Sequence, residues 1–284
     1  MGGADIIPGV SGGTVALITG IYERLIDAIK SINLLFAIYF FRGFLDKKYF
    51  LKSKQIFRNI DFKFILPLLF GIATAFLLIA NIIGPVFDSY PTYAYSFFFG
   101  LILASSFLVY FNIKKLNVWV PIFIFLGILV GYMIVGLEAI QTTHNFFIIF
   151  LSGVITICAM ILPGISGAFI LLLLGQYNFM LNVLRGFTSL DFSGLPYAIS
   201  YIFGGAVGII TLSRVLSYFI KNHRLATLSF LLGLMLGALR KPGEFIINQP
   251  ENIMITIFSS IFGIIIVVTF SYYKIYSEKK TASL

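Results

Sequence analysis

Long apolar stretches alternate with short polar ones along most of this chain of 284 residues. Seven stretches carry no Asp, Glu, Lys or Arg, or in one case Arg214 alone: Phe64–Phe87, Tyr93–Phe111, Leu116–Leu137, Asn145–Leu184, Phe192–Ile220, Leu225–Leu239 and Asn252–Tyr273. An apolar helix of about 20 residues spans the hydrocarbon core of a bilayer. Because the stretches lack the alternation of barrel strands, they predict an all-α, polytopic membrane protein.

Composition agrees with this prediction and limits the meaning of the positive charge. Hydrophobic residues make up 59% of the chain and charged residues only 11%, against about 25% charged in soluble domains. Seven of the 20 Lys and Arg lie between Arg42 and Lys63, between two apolar stretches. This placement favours a cytoplasmic loop that follows the positive-inside rule, and no nucleic-acid partner is expected.

The basic segments also predict the topology. With residues 42–63 in the cytoplasm, the stretches cross so that Lys114, Lys115, Lys221 and Arg224 lie inside, together with the C-terminus. The connections "DSYPT" and "EAIQTTH", which contain no Lys or Arg, lie outside. The predicted location is the bacterial cytoplasmic membrane.

A sequence motif occurs twice. The segment "ADIIPGVSGGTVALITGIY" from Ala4 returns as "AMILPGISGAFILLLLGQY" from Ala159, with nine of 19 positions identical at an offset of 155. Further along, "YSFFFGLILASS" matches "LSFLLGLMLGAL" at an offset of 133. The topology puts the two motifs on opposite sides of the membrane. We therefore predict two inverted-topology repeats, residues 1–140 and 141–284, as in transporters that alternate access.

Each repeat is predicted to contain a re-entrant helical hairpin followed by three transmembrane helices. The hairpin of the first repeat faces the cytoplasm and that of the second faces outside. The second motif follows an apolar leg, Asn145–Leu162, whereas only seven residues precede Pro8. We expect the coding frame to continue upstream for about 12–20 apolar residues, enough to supply the missing leg.

The repeated motif has the residues of an anion site. Proline breaks a helix, and the Ser that follows is a preferred N-cap of a new helix. Free amides at a helix N-terminus bind phosphate or carboxylate, and irregular backbone persists in a bilayer only beside a cavity. The alternative is a simple kink in a transmembrane helix. The candidate substrate-binding residues of the motifs are Pro8, Gly9, Ser11, Gly12, Gly13, Thr14, Pro163, Gly164, Ser166 and Gly167.

Four arginines are further candidates for binding an anion. Arg214 occupies an apolar stretch, where an unpaired Arg costs at least about 2.5–3.5 kcal/mol unless it snorkels to the surface. Arg240, next to Lys241, falls on the outer side against the positive-inside rule. Arg24 and Arg185 follow the two motifs, although Arg24 has Glu23 beside it as an alternative partner.

With these motifs and "FLLGLMLGALR", the chain resembles the bacterial polyprenyl-phosphate transporter family over essentially its whole length. The resemblance implies re-entrant helices and transport of undecaprenyl phosphate back across the cytoplasmic membrane for cell-envelope synthesis. The chain departs from the pattern in its absent first leg. It also has Ala168 and Phe169 where the first repeat has Gly13 and Thr14, which suggests that the two motifs are not equivalent.

Two other functions stay open on the residues. A channel or transporter for a small soluble anion would use the same helix N-termini and arginines. An intramembrane serine protease would use the Gly-x-Ser-Gly of either motif, but it needs a His base, and neither His144 nor His223 lies mid-span. The sequence has no phosphate-binding loop of the Gly-x-x-x-x-Gly-Lys-Ser/Thr type and no metal-ligand cluster. We expect a transporter without cofactor or metal, and not an enzyme.

Overall fold

The computed structural model describes residues 1–2, 11–32, 35–44, 46–111, 113, 117–140 and 142–282, and within them it contains helices but no strand. The prediction of an all-α fold is confirmed. In chain order the helices are α1 (Gly12–Ile18), α2 (Tyr22–Ser31), α3 (Leu35–Arg42), α4 (Lys47–Arg58), α5 (Phe62–Ser89), α6 (Pro91–Phe111), α7 (Trp119–Val135), α8 (Phe146–Ile161), α9 (Gly167–Leu173), α10 (Tyr177–Thr188), α11 (Leu195–Asn222), α12 (Arg224–Ala238), α13 (Arg240–Asn248) and α14 (Ile253–Ala282).

Several of these helices are long and apolar enough to cross a membrane. Four candidate spans occur in the described part: Pro91–Phe111, Leu195–Asn222, Arg224–Asn248 and Ile253–Tyr273. The third combines α12 and α13. The bent pair α9 and α10 forms a fifth candidate, and the shorter apolar helices are Phe62–Ala75, Trp119–Val135 and Phe146–Ile161. The architecture is that of a multi-pass membrane protein.

The two halves of the chain contain helices of matching length. The helices α1 and α9 have seven residues each and begin 155 positions apart. The helices α5 and α11 have 28 residues each and begin 133 positions apart. These are the two offsets at which the sequence repeats.

The helix after each motif ends in the same kind of turn. Gly20 and Gly175 have φ angles of 73° and 67°, in the left-handed region that glycine adopts at low cost and that closes many helices. The uncharged stretch that contains the second motif continues to Leu184, whereas the helix α9 ends at Leu173. At this break α9 and α10 meet at 113°. The left-handed φ angle of Gly175 lies at this bend.

In the hairpin formed by α8 and α9, the segment that precedes α8 is hydrogen-bonded to the end of α9. Ile140, which precedes α8, donates its amide hydrogen to the Leu173 carbonyl oxygen at 2.8 Å. The Thr142 hydroxyl donates to the Leu174 carbonyl oxygen at 2.6 Å. The segment before α8 therefore lies against the end of α9.

Small residues let the main helices approach closely. The helix α7 packs along α12, α6 along α14 and α8 along α11. Where α7 meets α12, Gly127 and Gly131 face Gly233 and Gly237, so that a side chain at any of these positions would meet backbone atoms of the other helix. Such interfaces are typical of helices packed in membranes. The central core around Tyr22 joins α1, α2, α8, α9, α11 and α12.

Candidate functional site

The two repeated motifs touch each other in the centre of the protein. The Ser11 hydroxyl oxygen lies 3.0 Å from the carbonyl oxygen of Met160 and 3.1 Å from that of Leu162. In the opposite direction, the Gly164 amide donates to the Thr14 hydroxyl oxygen at 2.9 Å. Ser11 and Thr14 are buried, at 0% and 1% exposure. Residues 149 to 151 positions apart are thus joined at one polar site.

Gly13 fixes how closely the motifs approach. A Cβ atom added there would collide with the Ile161 carbonyl oxygen, which belongs to the backbone of the second motif's hairpin. The Tyr22 hydroxyl donates to the same carbonyl oxygen at 3.3 Å. Since backbone cannot move aside as a side-chain tip can, only glycine fits at this position.

Ser11 accepts hydrogen bonds from the backbone amides at the start of α1. Its hydroxyl oxygen accepts from the Gly13 amide at 3.1 Å, which is the bond of an N-cap. Its carbonyl oxygen accepts from the amides of Thr14 at 3.0 Å and Val15 at 3.3 Å. In this conformation the first motif satisfies these donors internally. Gly12 is the first, buried residue of the helix.

The second motif is satisfied less completely. Ser166 is an extended residue before α9, and its side chain makes no capping bond. It is 3% exposed, and its hydroxyl oxygen has no hydrogen-bond partner in the part of the chain that the structure describes. Gly167 follows it against α8, where an added Cβ would lie 3.1 Å from the Thr156 carbonyl oxygen. Pro163 and Gly164 are buried beside it. Of the remaining motif residues, Pro8 and Gly9 lie outside the described residues.

The structure pairs Arg24 with an acidic residue other than its neighbour. The Arg24 guanidinium binds the Asp61 carboxylate at 3.0 Å and lies 4.6 Å from the centre of the Phe64 ring. Glu23, the alternative partner, pairs with Arg224 at 2.8 Å. Arg24 therefore links α2 to the start of α5.

Two other predicted arginines lie on the surface. Arg185 is exposed in the last turn of α10. Arg214 is exposed on α11 and forms no ion pair with the residues described. A role for either in binding phosphate stays a prediction.

Arg240, which the predicted topology puts on the outer side, has several partners within the protein. Its guanidinium binds the Glu244 carboxylate at 2.6 Å and donates to the Tyr132 carbonyl oxygen at 3.1 Å. It also lies 4.1 Å from the centre of the Tyr132 ring. The charge of Arg240 is thus balanced by a carboxylate four residues along the same helix, at a spacing that favours ion pairs. Only its contact with Tyr132 on α7 depends on tertiary packing.

Lys241 is a candidate that the sequence identified only as a misplaced charge. Its ammonium nitrogen lies 5.4 Å from the centre of the Phe169 ring. Phe169 is in the first turn of α9, three residues after Ser166. Within the described part Lys241 forms no ion pair, so the structure places a cation without a carboxylate partner beside the second motif.

Neither histidine contacts a motif serine through a described hydrogen bond. His144 lies 2.8 Å from the Gln176 side-chain oxygen and stacks on Phe179. The Ser11 hydroxyl is engaged by carbonyl oxygens. Among the described residues, no hydrogen bond joins a motif serine to a base of the kind that a serine protease uses.

Fold and site together define a helical membrane protein in which the two repeated motifs contact each other in the interior. The chain belongs to the undecaprenyl phosphate translocase-like family, whose sequence profile matches residues 1–245. The family resemblance of the sequence is thereby confirmed.

Two curated relatives carry the same printed name, polyprenyl-phosphate transporter. The one from Vibrio cholerae serotype O1 (strain ATCC 39315 / El Tor Inaba N16961) is 37% identical over 242 residues, which are 85% of this chain and 74% of the relative. The one from Staphylococcus aureus (strain NCTC 8325 / PS 47) is 29% identical over 251 residues, 84% of this chain and 81% of the relative. No solved structure matches the chain.

Proposed function

We propose that this protein transports undecaprenyl phosphate across the bacterial cytoplasmic membrane, returning the lipid carrier for cell-envelope synthesis. The observation that carries the proposal is membership of the translocase-like family over residues 1–245. The names of the two relatives support the same substrate class. The many apolar helices are those of a protein embedded in the bilayer.

The repeats suggest how the transporter alternates between the two sides. We infer that residues 1–140 and 141–284 are inverted repeats, and that their motifs form the central site. The matching lengths of α1 and α9 and of α5 and α11 support this inference. The direct contact between the motifs supports it too, since broken helices of inverted repeats meet at the substrate site.

The phosphate replaces contacts that the motifs now make with each other. An ionised group in hydrocarbon costs many kcal/mol unless polar groups replace its water. The Ser11 hydroxyl and the Gly164 amide are donors that a phosphate can take from Leu162 and Thr14. The Ser166 hydroxyl, which has no hydrogen-bond partner among the described residues, and the Lys241 ammonium complete a site at the second motif. The isoprenoid tail stays in the bilayer throughout.

The test is transport by the purified protein in liposomes. Labelled undecaprenyl phosphate in one leaflet should reach the other faster than in protein-free liposomes, and inorganic phosphate and chloride flux should not rise. Flux of a soluble anion without movement of the lipid would favour the channel for small anions. Labelling of Ser11 or Ser166 by a fluorophosphonate probe would instead support a serine hydrolase.

A further inference from the structure

A cavity of about 850 Å³ lies between α7, α11 and α12. Its walls are mainly apolar and include Phe123, Leu126, Leu216, Phe219, Phe230 and Leu231. Sites for small molecules typically have volumes of about 300–1,000 Å³ and apolar walls with a few polar groups. The cavity therefore has the size and lining of a ligand site.

The cavity connects the outer surface of the helices with the central site. Leu126 on α7 and Phe219 on α11 are 42% and 46% exposed. Both helices pack against α12, with little direct contact between them in the described part. At its inner end the cavity is lined by Leu162, whose carbonyl oxygen accepts from Ser11. A ligand could thus enter from the bilayer and reach the motifs.

Polar residues line the end of the cavity where α11 turns into α12. Asn222, His223 and Arg224 lie there. The contact between Arg224 and Glu23 uses the guanidinium Nε and Nη2 atoms on one carboxylate oxygen. An Arg side chain has five N–H donors, so that this guanidinium can bind Glu23 and a second anion together. The predicted topology puts this end in the cytoplasm.

We propose that the cavity binds the isoprene units next to the phosphate of undecaprenyl phosphate, with the phosphate at Arg224. This inference rests on the proposed function. Its basis is complementarity: one apolar chain lies along the apolar walls, and an anionic head meets the cation at their end. Because the full chain is much longer than the cavity, its remainder lies in the bilayer beyond Leu126 and Phe219. Since the carrier returns toward the cytoplasm, this site follows the motifs along the path of the substrate.

Cysteine protection tests the inference. In a Cys158→Ala background, Ala226→Cys places a thiol on the cavity lining, and Ile199→Cys places one on the exposed surface of α11 as a control. Maleimide labelling is timed in nanodiscs with undecaprenyl phosphate, with phosphatidylglycerol and with inorganic phosphate. At ten times its Kd, undecaprenyl phosphate should slow labelling of Ala226→Cys about 11-fold, since the free fraction is 1/(1 + [L]/Kd). It should leave Ile199→Cys unchanged.

A second variant tests the cation. Removing Arg224 alone leaves the Glu23 carboxylate without its partner, so the double variant Glu23→Gln/Arg224→Gln is used, with Glu23→Gln as its control. The double variant should need about tenfold more undecaprenyl phosphate for the same protection, because a charge-assisted hydrogen bond is lost. Equal protection in both would overturn the role of Arg224.

Each other outcome is also decisive. Absence of protection, or equal protection by phosphatidylglycerol or by inorganic phosphate, would overturn the cavity as a polyprenyl-phosphate site. Lipid transport by the same variants in liposomes separates this result from the proposed function. Transport without protection rejects only the cavity, whereas protection without transport supports the cavity and rejects transport.

Discussion

The contact between the two motifs can be disturbed by one methyl group. In Gly13→Ala, the new Cβ atom would collide with the Ile161 carbonyl oxygen, so that α1 and the α8 end must move apart. Overpacking of this kind costs about 1–3 kcal/mol. The separation also weakens the bonds of Ser11 and Thr14 across the interface, each worth about 1 kcal/mol.

If the two weakened bonds together lose about half of their strength, or about 1 kcal/mol, the folding free energy falls by about 2–4 kcal/mol in all. This corresponds to roughly 5–15 °C in Tm. Thermal unfolding in detergent measures the stability, and the liposome assay measures transport, which should fall in parallel. Gly71→Ala is the matched control, because an added Cβ there has nothing within 4 Å in the middle of α5. If Gly13→Ala matched this control in both assays, the contact between the motifs would not hold the site together.

Substitutions of two cationic residues should differ in the size of their effect on transport. Lys241→Gln should raise the concentration of undecaprenyl phosphate needed for half-maximal transport about tenfold, because a hydrogen bond to a charged group contributes about 1.5–3 kcal/mol. Arg214→Gln should change transport by less than about twofold, since an exposed arginine with no ion pair among the described residues contributes little. Concentration series in the same liposomes measure both, and the reverse order of effects would move the phosphate site from Lys241 toward Arg214.

Much of the fold followed from local patterns in the sequence. The absence of charge over about 20 residues predicts a membrane helix without knowledge of its neighbours, and the proline of the second motif marks the end of α8 at Ile161. The absence of charge does not predict the bend at Gly175, because uncharged residues continue on both sides of it. Its signal was the matching Gly20 at the repeat offset.

The arrangement of the site depends on contacts between distant parts of the chain. Ser11 was identified as a helix cap, but its contact with Leu162 joins residues 151 positions apart. The Asp61 partner of Arg24 is likewise set by tertiary packing, whereas Glu244 lies four residues after Arg240 on the same helix. Pairing Arg24 with Asp61 requires the contact between α2 and the start of α5, which no local pattern specifies. Charge alone therefore identified candidates without showing which cations are balanced within the protein.

The difference between the two serines leads to a last prediction. The Ser11 hydroxyl caps Gly13 and donates to the second motif, whereas the Ser166 hydroxyl is buried without a described partner. Ser11→Ala removes a cap worth about 1 kcal/mol and leaves buried groups unsatisfied at about 1–3 kcal/mol. Ser166→Ala removes a hydroxyl that is buried without a described hydrogen bond, which costs free energy. The Tm of this variant should therefore equal or exceed that of the unchanged protein.

Although Ser166→Ala should not lower the stability of the protein, it should lower the affinity for the substrate. Ser166→Ala should weaken binding of undecaprenyl phosphate about fivefold, the equivalent of one hydrogen bond of about 1 kcal/mol, although the protein is no less stable. A variant that keeps its stability and loses affinity has lost a ligand contact, and Ser166→Thr, which restores the hydroxyl, should recover part of the affinity. Thermal unfolding with and without undecaprenyl phosphate measures both quantities. If Ser166→Ala lowered Tm as much as Ser11→Ala, with an unchanged shift on adding the lipid, Ser166 would be a structural cap and the phosphate would bind elsewhere.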